Sequence, residues 1–309
     1  MKVGQAMGSR SRGRVTMHDV HLAIKLKCVN NIRWTLSNDL SVDVNQSLFG
    51  ATALSLSLYY QCDEAFNLII DRHLRTSSVD LDQLSNDPQR RLEPALITAV
   101  RLGNELAVDR LLECGADIEA VDGFGHTALW TAARDRRFNI AVTLLKSGAT
   151  VRPSSRSSSL PVFVASRLSS RRTDMTQLLL LAGADDNSAD HQSLLRRVLA
   201  PQRYTIIRLL LAACHVTLTR DVTSLTRDND VDNLLRVYMT SPASLQSQCR
   251  WTIRRVTSRA GAGIHFLSAL SRLPLPKPLR EYVALIDVLN ENENDSFSWT
   301  QLIHQLGFS

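Results

Sequence analysis

The chain repeats itself, and that periodicity constrains its fold more than any other feature. Residues 94–117, PALITAVRLGNELAVDRLLECGAD, align with residues 127–150, TALWTAARDRRFNIAVTLLKSGAT, at an offset of 33. Ala95 falls on Ala128, Leu96 on Leu129, Ala99 on Ala132, Leu111 and Leu112 on Leu144 and Leu145, and Gly115 and Ala116 on Gly148 and Ala149. A third copy, one residue longer between its halves, runs through Val162, Phe163, Leu179, Leu180, Gly183 and Ala184. The first two copies open with a small residue and Leu, with Ala three positions on, which suit a short, closely approached inner helix. The later Leu pair gives a second helix its buried stripe, since apolar residues at i, i+3 and i+4 share one face. The glycines then stand where that second helix stops in a left-handed conformation, which glycine adopts without penalty. A unit of about 33 residues cannot bury its apolar face alone, so it must stack on its neighbours.

These segments resemble ankyrin repeats, whose pattern begins TPLHxA and ends LLxxGAD; TALWTAA (127–133) and LLECGAD (111–117) are the nearest matches. In that register, less regular copies are placed upstream at Leu54 with Ile69 and Ile70, where His73 occupies the glycine column, and at Val20, Ala23 and Leu36. One more lies downstream at Leu195, Leu210 and Leu211, with Cys214 in the glycine column. The column spacings from Val20 through Leu54, Leu96, Leu129, Phe163 and Leu195 are 34, 42, 33, 34 and 32. The expectation is an all-α solenoid of about six repeats, with a truncated seventh around Leu234 and Leu235. The spacing of 42 is assigned to the polar stretch 76–91, expected to protrude as a loop. The resemblance implies protein recognition on the concave surface. Candidate contacts for a target are Phe124 at the tip 122–124, then Arg136, Arg137 and Phe138 with Arg134, and the pair Arg171 and Arg172. Trp130 stands where the family has histidine and is read as a packing residue.

Beyond the repeats, residues 241–256 read SPASLQSQCRWTIRRV. Ser241 is placed as N-cap with Pro242 at the first helical position. Leu245, Cys249 and Ile253 then recur every four residues as one apolar stripe, with Arg250, Arg254 and Arg255 away from it. Three residues on one helix are too little to stabilise a domain, so the stripe needs a partner. After a second apolar run, IHFLSAL (264–270), comes LPLPKPL (273–279). Proline lacks the backbone donor and fixes φ, so this stretch is expected to be extended.

The order SLQSQCRWTI, LPLP, PLREYV resembles the SOCS box, a small three-helix segment in which SLxxxCxxxΦ binds elongin C and LPΦP selects cullin-5. Carried over residue by residue, the resemblance makes Leu245 the anchor in an elongin C pocket, with Cys249 and Ile253 beside it. Leu273, Pro274, Leu275 and Pro276 become the cullin-selecting strip. The expected organisation is a disordered basic terminus (1–15), an ankyrin domain (16–240), a SOCS box (241–283) and a tail of unassigned role (284–309).

Composition excludes other classes. Of a net charge of +6, Lys2, Arg10, Arg12 and Arg14 supply four before the first acidic residue, Asp19, so the body is nearly balanced and nucleic acid is not the expected partner. Five cysteines with no CxxC fit neither a disulfide framework nor a zinc site, and point to a reduced compartment, cytoplasmic or also nuclear. No stretch is apolar enough to span a membrane. The eight histidines form no HExxH and there is no GxxxxGK, so no enzyme, metal or cofactor is expected. The combined resemblances imply a non-catalytic substrate receptor of a ubiquitin ligase with elongin B, elongin C, cullin-5 and its RING subunit as partners. The alternative is an ankyrin scaffold whose last helices only cap the stack.

Overall fold

The computed structural model describes residues 16–38, 43–86, 91–151, 161–167, 174–184, 204–213, 229–240, 243–260, 266–286, 288 and 299–306. The chain forms two compact units, Met1–Gly123 and Phe124–Ser309.

In the first unit the helices come in antiparallel pairs: α1 (Met17–Lys25) with α2 (Val29–Asn38), α3 (Ala53–Tyr59) with α4 (Asp63–Thr76), and α5 (Ala95–Leu102) with α6 (Glu105–Glu113). Capping explains where they start. Asp19 Oδ2 accepts from the Thr16 amide at 3.0 Å, Thr52 Oγ1 from the Ser55 amide at 3.3 Å, and Asn104 Oδ1 from the Ala107 amide at 3.1 Å. Each satisfies a donor that the first helical turn leaves orphaned. The inner helices α1, α3 and α5 pack side by side, and α5 is buried without a break from Ala95 to Val100. Its one polar side chain in that run, Thr98, donates to Glu93 Oε1 at 2.9 Å. Glu93 also receives Arg101 Nη2 at 2.5 Å, a pair whose side chains are only 5% and 10% exposed.

The loops are tied repeat to repeat by carboxylates and amides. Asn45 Oδ1 accepts from the Asp80 amide at 2.8 Å, and in the next repeat Asp82 Oδ1 accepts from the Asp117 amide at 2.9 Å, each bond spanning 35 residues of chain. Burial pushes the Asp82 carboxyl above its ordinary range, and the bond from Asp117 opposes that rise.

The stretch expected to protrude as a loop is pinned to the body at several points and exposed between them. α4 continues one turn past His73, and the left-handed stop is Ser77 (φ 48), not the residue in the glycine column. Val79, Leu81 and Ser85 are buried, and β1 (Ser85–Asn86) pairs antiparallel with β2 (Leu92–Glu93), the short sheet of an otherwise helical fold. Extra helix and hairpin therefore absorb much of the insertion; residues 87–90 lie outside the described ones.

The second unit carries α7 (Ala128–Asp135) paired with α8 (Phe138–Lys146), and α9 (Pro161–Arg167) paired with α10 (Asp174–Leu181). α11 (Tyr204–Ala213) packs on α10 and buries its apolar face through Ile206, Ile207, Leu209 and Leu210. Gly148 and Gly183 have φ of 103° and 95°, the left-handed stop expected of their column. Leu195, Cys214, Arg171 and Arg172 lie outside the described residues. α12 (Asn229–Thr240) buries Val231 and Leu235, the region read as a truncated repeat. Then come α13 (Leu245–Ala260), α14 (Phe266–Ser271) and α15 (Lys277–Val283), with α13 packed on α11, α14 and α15. A last helix, α16 (Trp299–Gln305), buries Leu302 and Ile303, and Lys146 Nζ donates to Gln305 Oε1 at 3.3 Å. The tail thus returns to α8.

Candidate docking surfaces

Helix α13 begins at Leu245, later than the expected start. Ser244 Oγ accepts from the Ser247 amide at 3.1 Å and so acts as the cap; Ser241 and Pro242 lie outside the described residues. The two faces of α13 have opposite fates. Leu245 is 77% exposed, Cys249 is exposed, Ile253 is half-buried and Val256 is exposed. Trp251, Arg250, Arg254 and Thr257, which project from the other side, are buried.

The inward arginines are held by carbonyls and rings. Arg254 Nη1 donates to Val283 O at 2.9 Å and Nη2 to Leu180 O at 2.5 Å, and its guanidinium lies 4.7 Å from the centre of the Phe266 ring. Arg250 stacks over Tyr282 at 3.4 Å. Arg280 Nη1 donates to Ser271 O at 2.8 Å, the last carbonyl of α14. Cations favour such helix ends, where carbonyls lack intrahelical donors and the dipole is negative. Spacing had set these arginines apart from the stripe without revealing that they face the protein interior.

The proline segment is shorter than expected. The Leu275 amide donates to Leu273 O at 2.7 Å, a tight turn around Pro274, and α15 starts at Lys277. Pro276 is its N-cap and Pro278 lies in its first turn, where the missing N–H is harmless, so 277–279 is helical and not extended. Leu273 and Leu275 are half-buried, whereas Pro274 and Pro276 are exposed.

The candidate target contacts divide into two places at opposite ends of α7. At its N-terminal end Phe124 is 77% exposed, with its ring 6.0 Å from that of His126. His126 stacks on Trp130 at 3.5 Å, and Arg134, 5.3 Å from the Trp130 ring, is paired with Asp135 at 2.8 Å. Trp130 is buried, as its reading as a packing residue required. At the C-terminal end Arg136 takes the left-handed conformation (φ 58), and Arg136 and Arg137 are exposed while Phe138 is half-buried. An eight-residue helix of about 12 Å, which carries Trp130 and Arg134, separates Phe124 and His126 from Arg136, Arg137 and Phe138. His126 was not among the sequence candidates; its place four residues before Trp130 is the only signal for the stack.

The SOCS box family model matches residues 241–284, and the ankyrin repeats (3 copies) model matches residues 58–155 and 96–190. The chain has the architecture of the ankyrin repeat and SOCS box family. The chain is similar to neurogenic locus notch homolog protein 1 from Homo sapiens, 33% identical over 128 residues, and from Xenopus tropicalis, 30% identical over 146. Those matches cover 41% and 47% of this chain and only 5% of either relative. Among solved structures, the ankyrin repeat domain of Bcl-3, described as a unique member of the IkappaB protein family, is similar with a TM-score of 0.43 and 24% identity, over 52% of this chain and 66% of that one. Ankyrin repeats and SOCS boxes are non-catalytic adaptor modules. Among the described residues no cluster could hold a metal ion, and no helix is long and apolar enough to cross a membrane.

Proposed function

We propose that this chain is the substrate-recognition subunit of an elongin B/C and cullin-5 RING ubiquitin ligase. Residues 241–283 recruit the ligase, and the repeats hold a target protein. The observation that carries the reading is the outward stripe of α13: Leu245 at 77% exposure beside exposed Cys249, on a helix whose other face is already buried. An apolar stripe left in water on a helix that is otherwise docked is suited to a foreign subunit. Leu245 serves as the anchor for elongin C, with Cys249 and Ile253 beside it. Pro274 and Pro276, exposed on the turn that leads into α15, present Leu273 and Leu275 to cullin-5 in a pre-shaped form that loses little entropy on docking. The chain supplies proximity alone: it holds a target lysine near the charged conjugating enzyme and performs no bond-making.

On the repeats, exposed Phe124 with His126 beside it before α7, and Arg136, Arg137 and Phe138 after it, are the surfaces offered to the target, with buried Trp130 backing the His126 ring. Aromatic and arginine side chains carry a large share of binding energy at protein interfaces. The test is co-purification of the tagged full-length chain with elongins B and C and cullin-5. Cys249→Phe, which places a bulky ring in the outward stripe, is expected to lose all partners. Pro274→Ala with Pro276→Ala is expected to keep the elongins and lose cullin-5. Recovery of the wild-type chain without elongins would instead leave a plain ankyrin scaffold.

A further inference from the structure

We propose that Arg254 is a positioning residue that locks the C-terminal box in one orientation against the repeat helices of its own compact unit. Its guanidinium, fully buried, bonds at once to Leu180 O in the last turn of α10 and to Val283 O at the end of α15. One of these helices belongs to a repeat and the other to the box. Both carbonyls lie at helix C-termini, where a cation is favoured, and the planar guanidinium holds its two N–H groups at a fixed angle. A single rigid group thereby sets the relation of two helices.

The repeat side is shaped to receive this joint. Phe266, whose ring flanks the guanidinium, lies so close to Gly183 that a Cβ there would come within 2.7 Å of Phe266 Cγ. Gly115 occupies the same column two repeats earlier with φ of 88°, and a Cβ on it would meet nothing within 4 Å. The glycine column is only a helix stop at Gly115, and at Gly183 it is also a contact surface. α10 itself is buried at every position from Met175 to Leu181, Thr176 and Gln177 included, whereas α6 exposes Glu105, Leu106, Asp109 and Glu113. A helix buried all round is covered on its outer face as well.

The consequence rests on the ligase reading above: a receptor acting by proximity requires a defined separation between what the repeats hold and what the box recruits. The joint lies on the face of α13 opposite Leu245, so it can be altered without touching the elongin surface.

The experiment uses the full-length chain with donor and acceptor fluorophores on encoded keto residues at Ser147 and Arg255, both exposed positions of the second unit. Single-molecule energy transfer on the wild type is expected to give one narrow distance distribution. Arg254→Met and Gly183→Ala should each roughly double its width as further orientations become populated, with Arg254→Lys between. Gly115→Ala imposes a similar backbone strain without a neighbour and should leave the width unchanged. Elongin B/C affinity of Arg254→Met should stay within about twofold of wild type, because the two faces share no partner. A narrow distribution in Arg254→Met overturns the proposal, and so does broadening by Gly115→Ala as large as that by Gly183→Ala. Should Arg254→Met not fold, the comparison of the two glycine variants decides alone. Failure of the wild type to bind elongins would sink the ligase reading and leave the distance result standing.

Discussion

Leu245 and Trp251 lie six residues apart on one helix, and replacing each with alanine should separate binding from folding. Leu245 keeps 77% of its surface in water, so truncating it removes little that the folded chain already uses. The loss of stability should be at most about 0.5 kcal/mol, less than about 2 °C in Tm for a unit of this size. Docking into an apolar pocket would bury that exposed part, and a buried leucine side chain is worth about 1.5–3 kcal/mol. Three quarters of it gives about 1–2 kcal/mol, or an affinity for elongin B/C about five- to thirtyfold weaker. Trp251, 9% exposed, belongs to the inward face. Its truncation should cost about 3–5 kcal/mol of stability and on the order of 10 °C in Tm. Isothermal titration against purified elongin B/C, with thermal denaturation of the free variants, measures both quantities. A Leu245→Ala variant that loses as much Tm as Trp251→Ala, or binds elongins as tightly as wild type, would refute the argument.

Two further perturbations test the first unit. Glu93→Ala strips the buried Arg101 guanidinium of its carboxylate and leaves the Thr98 hydroxyl to the Pro94 carbonyl at 3.3 Å; breaking a buried pair from one side costs about 3–5 kcal/mol. Urea denaturation showing a loss below about 1 kcal/mol would mean that Arg101 finds water instead. His21 on α1 is lowered from 6.5 to about 4, chiefly by burial and next by the neighbouring charge of His18. The unfolded chain takes up that proton near pH 6.5 and the folded chain only near pH 4. Stability from the neutral ring is therefore complete above 6.5, declines as pH falls through the window, and is gone below about 4. His21→Gln should flatten the change in Tm between pH 7 and pH 5, and an unchanged slope would assign the pH dependence elsewhere.

Much of the fold was legible because repeats encode themselves locally. The Leu and Ala columns and the positive-φ glycines Gly115, Gly148 and Gly183 are short-range signals that the regular copies restate. Legibility failed where one copy departs from the others. His73 occupies the glycine column, yet the helix runs on to Ser77, because nothing at His73 forces a stop and the following turn finds its own hydrogen bonds. Likewise Ser241 and Pro242 carry the stronger start signal, but the helix begins after Ser244, whose hydroxyl reaches the Ser247 amide.

Periodicity alone determined that α13 has an aliphatic stripe and an arginine-bearing face. It did not determine which face turns inward, and ordinary hydrophobic reasoning assigns the answer backwards. Helical spacing reports only which residues share a side. The inward direction depends on what the neighbouring elements offer, and here they offer the end carbonyls of α10 and α15 and the rings of Phe266 and Tyr282. Those acceptors come from residues up to 74 positions away in the chain, so only the tertiary structure could turn the arginines in and leave Leu245 in water.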